Sequence, residues 1–334
     1  MKKPFRYIGG KSNLVPKLLE LIPSHETYVE VFCGSCALLF AKSPFISQLE
    51  VLNDFDSDIV NFYRVLRNKK DLDTLVEKID LTPFSKEEYD YCDSTLDSLP
   101  PYSVERAYRW YILASMSIGG IIRSGWGRSI KPNGALSKVW AKIPEALQDF
   151  HYRLKKVQID HEDFRKLIPR YDREENFLYL DPPYVPETRK AKKVYEKEMT
   201  NDDHKELVDL LLNSKGKFVL SGYANSIYKP LEKNGWHRSN IKVQCGVSGK
   251  KRTPRTEVLW FNFVPKKESK TFRMEGSYEA MGKKGKIFKM EVPMSKEEME
   301  EEKLKAKAQE LLFQVLGFRL PEWRKFLKSR TKNH

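Results

Sequence analysis

"TYVEVFCGSCALLFAKS", residues 27–43, decides the fold. Its first seven residues are almost all β-branched or aromatic, the composition of a strand covered on both faces. Cys33, Gly34 and Ser35 then make a tight turn, and "CALLFAKS" starts a helix. The flanking segments repeat the alternation: "KSNLVPKLLELIP" (11–23) and "DSDIVNFYRVLRN" (56–68) have helical period, and "LEVLND" (49–54) is a short apolar strand. Helix and strand taking turns in this way predict a parallel sheet with helices on both faces.

Further along, strands are expected at "VQID" (157–160), "NFLYLD" (176–181), "KFVLSG" (217–222), "IKVQC" (241–245) and "EVLWFNF" (257–263), with a helix from Asn201. Between the two sets, residues 82–156 read as a helical insertion. Ser85 and Glu88 have capping spacing, and "VERAYRWYILASM" (104–116) and "IPEALQDFHYRLKKV" (143–157) are aromatic-rich helical runs. The Gly-, Arg- and Lys-rich "SIGGIIRSGWGRSIKPNGALSK" (117–138) between them is expected as an exposed loop or hairpin. Residues 1–81 and 157–265 thus form the two parts of one α/β domain, and 266–334 a basic extension in which 18 Lys and Arg face 11 Glu. Within that extension "SKEEMEEEKLKAKAQELLFQVLGF" (295–318) has its acids first and its bases later, as a helix complementing its dipole does.

The 334 residues can bury a full core, and 40% hydrophobic with 32% charged residues is the balance of a water-soluble globular chain. No stretch of roughly 18 apolar residues could span a bilayer, and no apolar run follows Lys2 and Lys3 as a secretory signal requires. A cytoplasmic protein with free thiols at Cys33, Cys36, Cys92 and Cys245 is expected. The net charge of +14 points to a polyanionic partner, foremost nucleic acid.

Two constellations carry chemistry. In "LYLDPPY" (178–184) the paired prolines end the strand and leave Asp181 at the carboxyl edge of the sheet, where open α/β sheets bind ligands. Asp181 and the Pro182 carbonyl can each accept an N–H from one exocyclic amine while Tyr184 stacks on its ring. The second constellation is Gly34 in its strand-to-helix turn with Asp54 twenty residues later, the spacing at which a nucleoside-binding unit sets an acid against ribose hydroxyls. The C-x-x-C of Cys33 and Cys36 lacks the second ligand pair of a structural zinc site, and the scattered histidines supply none, so no metal is expected.

Taken in order, "YIGGK" (7–11), "VEVFCGSCAL" (29–38), "LND" (52–54), "DHEDF" (160–164), "LYLDPPY" and "EVLWFN" resemble the Dam-type DNA adenine-N6 methyltransferases, particularly those of phages and mobile elements, over about residues 1–264. The resemblance implies a Rossmann-like S-adenosylmethionine-dependent α/β fold whose mainly helical insertion recognises the DNA target. It assigns Tyr7, Gly10 and Lys11 to the cofactor, with Glu30, Phe32, Gly34 and Ser35 around its methionine part, Asp54 on its ribose, and Asp163 with Phe164 on its adenine. Asp181, Pro182, Pro183 and Tyr184 match the catalytic motif, with Asp181 also beside the cofactor. In the insertion, Arg123, Trp126, Arg128 and Lys138 are the residues expected to meet double-stranded DNA. The reaction implied is methyl transfer to N6 of a flipped adenine by a monomer, with a cognate restriction endonuclease as a candidate partner.

The pattern departs from the family at Cys36, where F-x-G-x-G would place a second glycine. A side chain there could crowd the cofactor or the first helical turn, and the alternative reading is a catalytically silent relative that still binds DNA.

Overall fold

The structure, a computed structural model, describes residues 3–6, 11, 13–128, 136–188, 198–245 and 253–265, plus the backbone of 271–276, 279–280, 283–284 and 288–293. Residues 1–265 and 266–334 form two compact units.

The first unit is built on seven strands: β1 (Thr27–Glu30), β2 (Leu49–Asn53), β3 (Val157–Asp160), β4 (Phe177–Leu180), β5 (Lys217–Gly222), β6 (His237–Cys245) and β7 (Thr253–Phe261). Their order across the sheet is β3-β2-β1-β4-β5-β7-β6. From β3 through β5 every pairing is parallel. β7 runs antiparallel to both β5 and β6. The expected parallel sheet is therefore mixed, and β6 starts at His237, four residues before its apolar stretch. The chain leaves β1 for β2 and β3 on one side and returns to β4 and β5 on the other. This makes the gap between the carboxyl ends of β1 and β4 the topological switch point of the sheet.

Alternation along each strand splits the core into two layers. Tyr28, Leu52, Phe177, Tyr179 and Val219 face one side, with Phe62, Tyr63, Trp110 and Leu113. Val29, Val51, Leu178, Leu180 and Phe218 face the other, with Phe164, Leu207, Leu211 and Trp260.

The helices are α1 (Val15–Leu21), α2 (Ala37–Ala41), α3 (Ser57–Arg67), α4 (Lys69–Leu81), α5 (Lys86–Thr95), α6 (Val104–Met116), α7 (Leu136–Trp140), α8 (Ile143–Leu154), α9 (Phe164–Tyr171), α10 (Asn201–Leu212) and α11 (Lys229–Lys233). α3 packs against α6 and α8, and α4 against the same pair, so the inserted helices build on the helices that follow β2. Their starts are specified locally. Ser85 Oγ accepts from the Glu88 amide at the head of α5, Ser103 caps α6, and Asn68 both ends α3 and caps α4. Thr200 and Asp203 form a reciprocal capping box on α10. Among the described residues, no helix is long and apolar enough to cross a membrane.

In the second unit, Thr271–Gly276 pairs antiparallel with Phe288–Pro293, and Glu279–Ala280 with Lys283–Lys284. The helix expected over 295–318 lies outside the described residues.

Candidate active site at the switch point

The loop after β1 is held from three sides. The Cys33 amide donates to the Asn53 carbonyl at 2.9 Å, the Gly34 amide to Asp54 Oδ2 at 2.8 Å, and the Tyr63 hydroxyl to the Gly34 carbonyl at 2.8 Å. Gly34 has φ 45°, and Cys36, which precedes α2, has φ 48° and ψ 40°. Both lie in the left-handed region, where a residue with a Cβ is strained and glycine is not. The glycine of the F-x-G-x-G pattern thus answers a backbone requirement that Cys36 meets under strain. Cys36 is fully buried, close to Cys33 and Tyr63. Burial raises the Cys33 and Cys36 thiols above the ordinary thiol range, the opposite of what a reactive redox pair needs.

Glu30 ends β1. It is buried, and its Oε1 accepts from the Tyr28 hydroxyl at 2.8 Å and from the Leu39 amide at 2.5 Å. Burial pushes its carboxyl up to about 7, against the opposing pull of those two hydrogen bonds and of Lys42. Asp54 immediately follows β2 and is likewise raised by burial, although the Gly34 and Asp56 amides donate to it.

Across the switch point, Asp181 follows β4. Its Oδ1 meets Lys11 Nζ at 2.9 Å and accepts from Ser221 Oγ, on β5, at 2.8 Å. Burial raises the Asp181 carboxyl, while Lys11 and Ser221 pull it back. The Lys11 ammonium lies 4.3 Å from the centre of the Tyr184 ring and also donates to its hydroxyl. That hydroxyl in turn donates to Glu257 on β7. Tyr223 packs edge-on against the Tyr184 ring, with centroids 4.6 Å apart.

A cavity of about 360 Å³ opens between these elements, a size that suits a small organic ligand. Lys11, Glu30, Phe32, Gly34, Ser35, Asp54, Asp163, Phe164, Asp181 and Pro183 all lie on its wall, so nearly all the cofactor and catalytic positions expected from the sequence converge there. Tyr7 and Gly10 lie outside the described residues. Pro182 and Tyr184 are buried beside the cavity rather than in its lining, and so is Cys36. Cys33, and not Cys36, lines the cavity. Asp163 caps α9 through the Arg165 amide and is bound by the Arg165 guanidinium at 3.0 Å, which also pairs with Asp203 and Glu206.

The sequence reading missed Ser221, Glu257, Phe55, Arg165 and Met199, although all of them line the cavity or hold residues beside it. Phe55, next to Asp54, exposes half its surface at the cavity edge.

The four DNA candidates lie on or beside the chain between α6 and α8. Arg123 pairs with Asp93 at 3.1 Å and Asp97 at 2.9 Å. Trp126 is half-buried, with its ring 5.7 Å from Phe84 and the Arg128 guanidinium 5.4 Å from it. Lys138 is exposed on α7.

A mixed sheet in this order, with acids at the ends of β1, β2 and β4 around one cavity, is the sheet of a Rossmann-like methyltransferase. The family model described as D12 class N6 adenine-specific DNA methyltransferase matches residues 7–244, and the chain belongs to that family. It is an adenine-specific DNA methyltransferase. Among curated relatives, the type II methyltransferase M1.LlaDCHI of Lactococcus lactis subsp. cremoris is 28% identical over 287 residues, covering 78% of this chain and 95% of that protein. M.MjaIII of Methanocaldococcus jannaschii is 26% identical over 60% of this chain and 76% of its own length. M.CviBI of Paramecium bursaria Chlorella virus NC1A is 25% identical over 55% and 69%. Both are also named type II methyltransferases.

Proposed function

We propose that the switch-point cavity binds S-adenosylmethionine and that the Asp181–Tyr184 segment holds the target adenine of double-stranded DNA beside it. The observation that carries this reading is the single cavity reached by both Glu30 and Asp181, with the Gly34 loop between them. The donor set fits the group. Glu30 suits the cationic methionyl end, Asp54 the ribose hydroxyls, and Asp163 with the Phe32 and Phe164 rings the adenine. When bound, the cofactor supplies a methyl group on a sulfonium that is already activated for displacement.

The chain's own task is then alignment. Asp181 and the Pro182 carbonyl accept the two N–H groups of the target amine, which localises the lone pair on nitrogen. Lys11 and Ser221 both meet Oδ1 of Asp181, so Oδ2 is the oxygen offered to the amine. Tyr184 offers its ring to the base. A base inside a duplex cannot reach a buried carboxylate, so the adenine is flipped, at a cost of a few kcal/mol.

The helical region 82–156 is read as the target-recognition unit, with Arg123, Trp126, Arg128 and Lys138 as its DNA contacts. The reading also includes a cytoplasmic monomer; a cognate restriction endonuclease as partner draws on the relatives' names as type II methyltransferases. The silent-relative alternative rested on Cys36, and its absence from the cavity wall favours the enzyme.

The test is expression in a methylation-free host followed by genome-wide mapping of N6-methyladenine. Wild type is expected to modify one short motif nearly completely and Asp181→Ala none. Equal modification by both would refute the assignment.

A further inference from the structure

The Asp181–Tyr184 segment is anchored at both ends by side chains from the next two strands. Ser221, on β5, donates to Asp181 at 2.8 Å. Glu257, on β7, accepts from the Tyr184 hydroxyl. β5 and β7 are paired neighbours, with Ser221 opposite Leu259, so the two anchors rise from adjacent points of one sheet.

The second anchor uses a buried acid for which cofactor and base binding, as described above, have no task. Glu257 is only 6% exposed, and burial raises its carboxyl above the usual range while Lys11 and the Tyr184 and Tyr223 hydroxyls pull it down. An acid so placed costs stability unless its partners are fixed. They are fixed here, because the Tyr184 hydroxyl accepts from Lys11 and donates to Glu257, which leaves one orientation for it. The ring it carries lies against Tyr223 on one side and under the Lys11 ammonium on another.

We propose that Glu257 is a positioning residue for methyl transfer: through the Tyr184 hydroxyl it sets the ring on which the target base stacks, without touching the base itself. This rests on the reading of Asp181–Tyr184 as the base site. A ring free to rotate would let the amine drift from its acceptors, and misplacement by about 1 Å can cost on the order of a hundredfold in rate.

The experiment follows transfer of labelled methyl from S-adenosylmethionine to plasmid DNA from a methylation-free host, using the full chain. Glu257→Ala is expected to lower kcat by about tenfold or more while leaving KM for S-adenosylmethionine within about threefold of wild type. Glu257→Gln, which keeps an acceptor oxygen for the hydroxyl, is expected to recover most of the rate. Tyr184→Phe is expected to lose as much as Glu257→Ala, and Glu257→Ala in the Tyr184→Phe background to cost less than about twofold more. The inference fails if Glu257→Ala or Tyr184→Phe turns over at the wild-type rate, or if the two losses multiply independently. Should Glu257→Ala not fold, the near-isosteric Glu257→Gln and the Tyr184→Phe rates decide the matter, since Tyr184→Phe alone breaks the same contact. An active Asp181→Ala in the same assay would instead sink the base-site reading, whereas an inactive Asp181→Ala beside a normal Glu257→Ala sinks only the role of Glu257.

Discussion

The Lys11 ammonium stands 2.9 Å from Asp181 Oδ1 and 4.3 Å from the centre of the Tyr184 ring. A cation thus rests on the acid that follows β4, and it lowers a carboxyl that burial alone would raise further. Replacing Lys11 with Met removes that opposing pull, so Asp181 holds its proton to higher pH. The acid limb of the kcat profile is expected to move upward in Lys11→Met, and an unmoved limb would show that Asp181 does not set it.

Glu30 gives a stability prediction of definite sign. Its carboxyl is raised by burial from 4.5 to about 7, so between those values the folded chain keeps a proton that the unfolded chain has released. Stability attributable to this group falls as pH rises through that window and is level above it. Glu30→Gln retains an oxygen for the Tyr28 hydroxyl and Leu39 amide and cannot ionise. Relative to wild type it should gain on the order of 3 kcal/mol between pH 4.5 and 7.5, read from urea melts across that range.

At Cys36 the backbone and the side chain pull in opposite directions. Glycine would relieve left-handed strain of about 1 kcal/mol, but would loosen the unfolded chain and empty a thiol-sized space, each at a similar cost. Cys36→Gly is therefore expected within about 1 kcal/mol of wild type, and Cys36→Val, β-branched at φ 48°, about 2 kcal/mol or more below it. S-adenosylmethionine affinity by calorimetry should change less than about threefold in Cys36→Gly, within the usual context scatter of such effects. A large gain in affinity would mean that the thiol does obstruct the site.

The insertion can be probed through salt dependence. Lys138→Ala should lower the slope of log affinity for DNA against log salt by about 1, as expected for a lost phosphate contact. Arg123 is engaged by Asp93 and Asp97, so Arg123→Ala should change that slope less. The reverse ranking would place Arg123, not Lys138, on the phosphates.

The central strands were legible in the sequence because they are buried on both faces and read as apolar runs, unbroken in Phe177–Leu180 and interrupted only by Glu30 in Tyr28–Val31. The direction of β7 was not, since an apolar run carries no sign of which way its neighbours go. The first residues of β6, His237–Asn240, are polar because they lie on the outermost strand of the sheet, and so they read as loop. α4 was missed because it follows α3 with a single residue, Asn68, between them and no Gly or Pro to mark the break. In the site, Gly34, Asp54 and Asp181 were legible because each sits where a strand meets a turn. Ser221 and Glu257 are interior strand residues 40 and 73 positions from their partners, and only sheet pairing brings them into reach.

The pairing of Glu30 with Tyr179, on strands separated by the whole helical region, also governs the order in which the enzyme is made. As the chain leaves the ribosome, α3 to α8 can pack through contacts close in sequence while β1 waits, one edge bare, for β4 to be synthesised. The catalytic pocket is therefore among the last parts to assemble, and a chain cut short before Phe177 would hold a helical bundle and the Gly34 loop without a place to do chemistry.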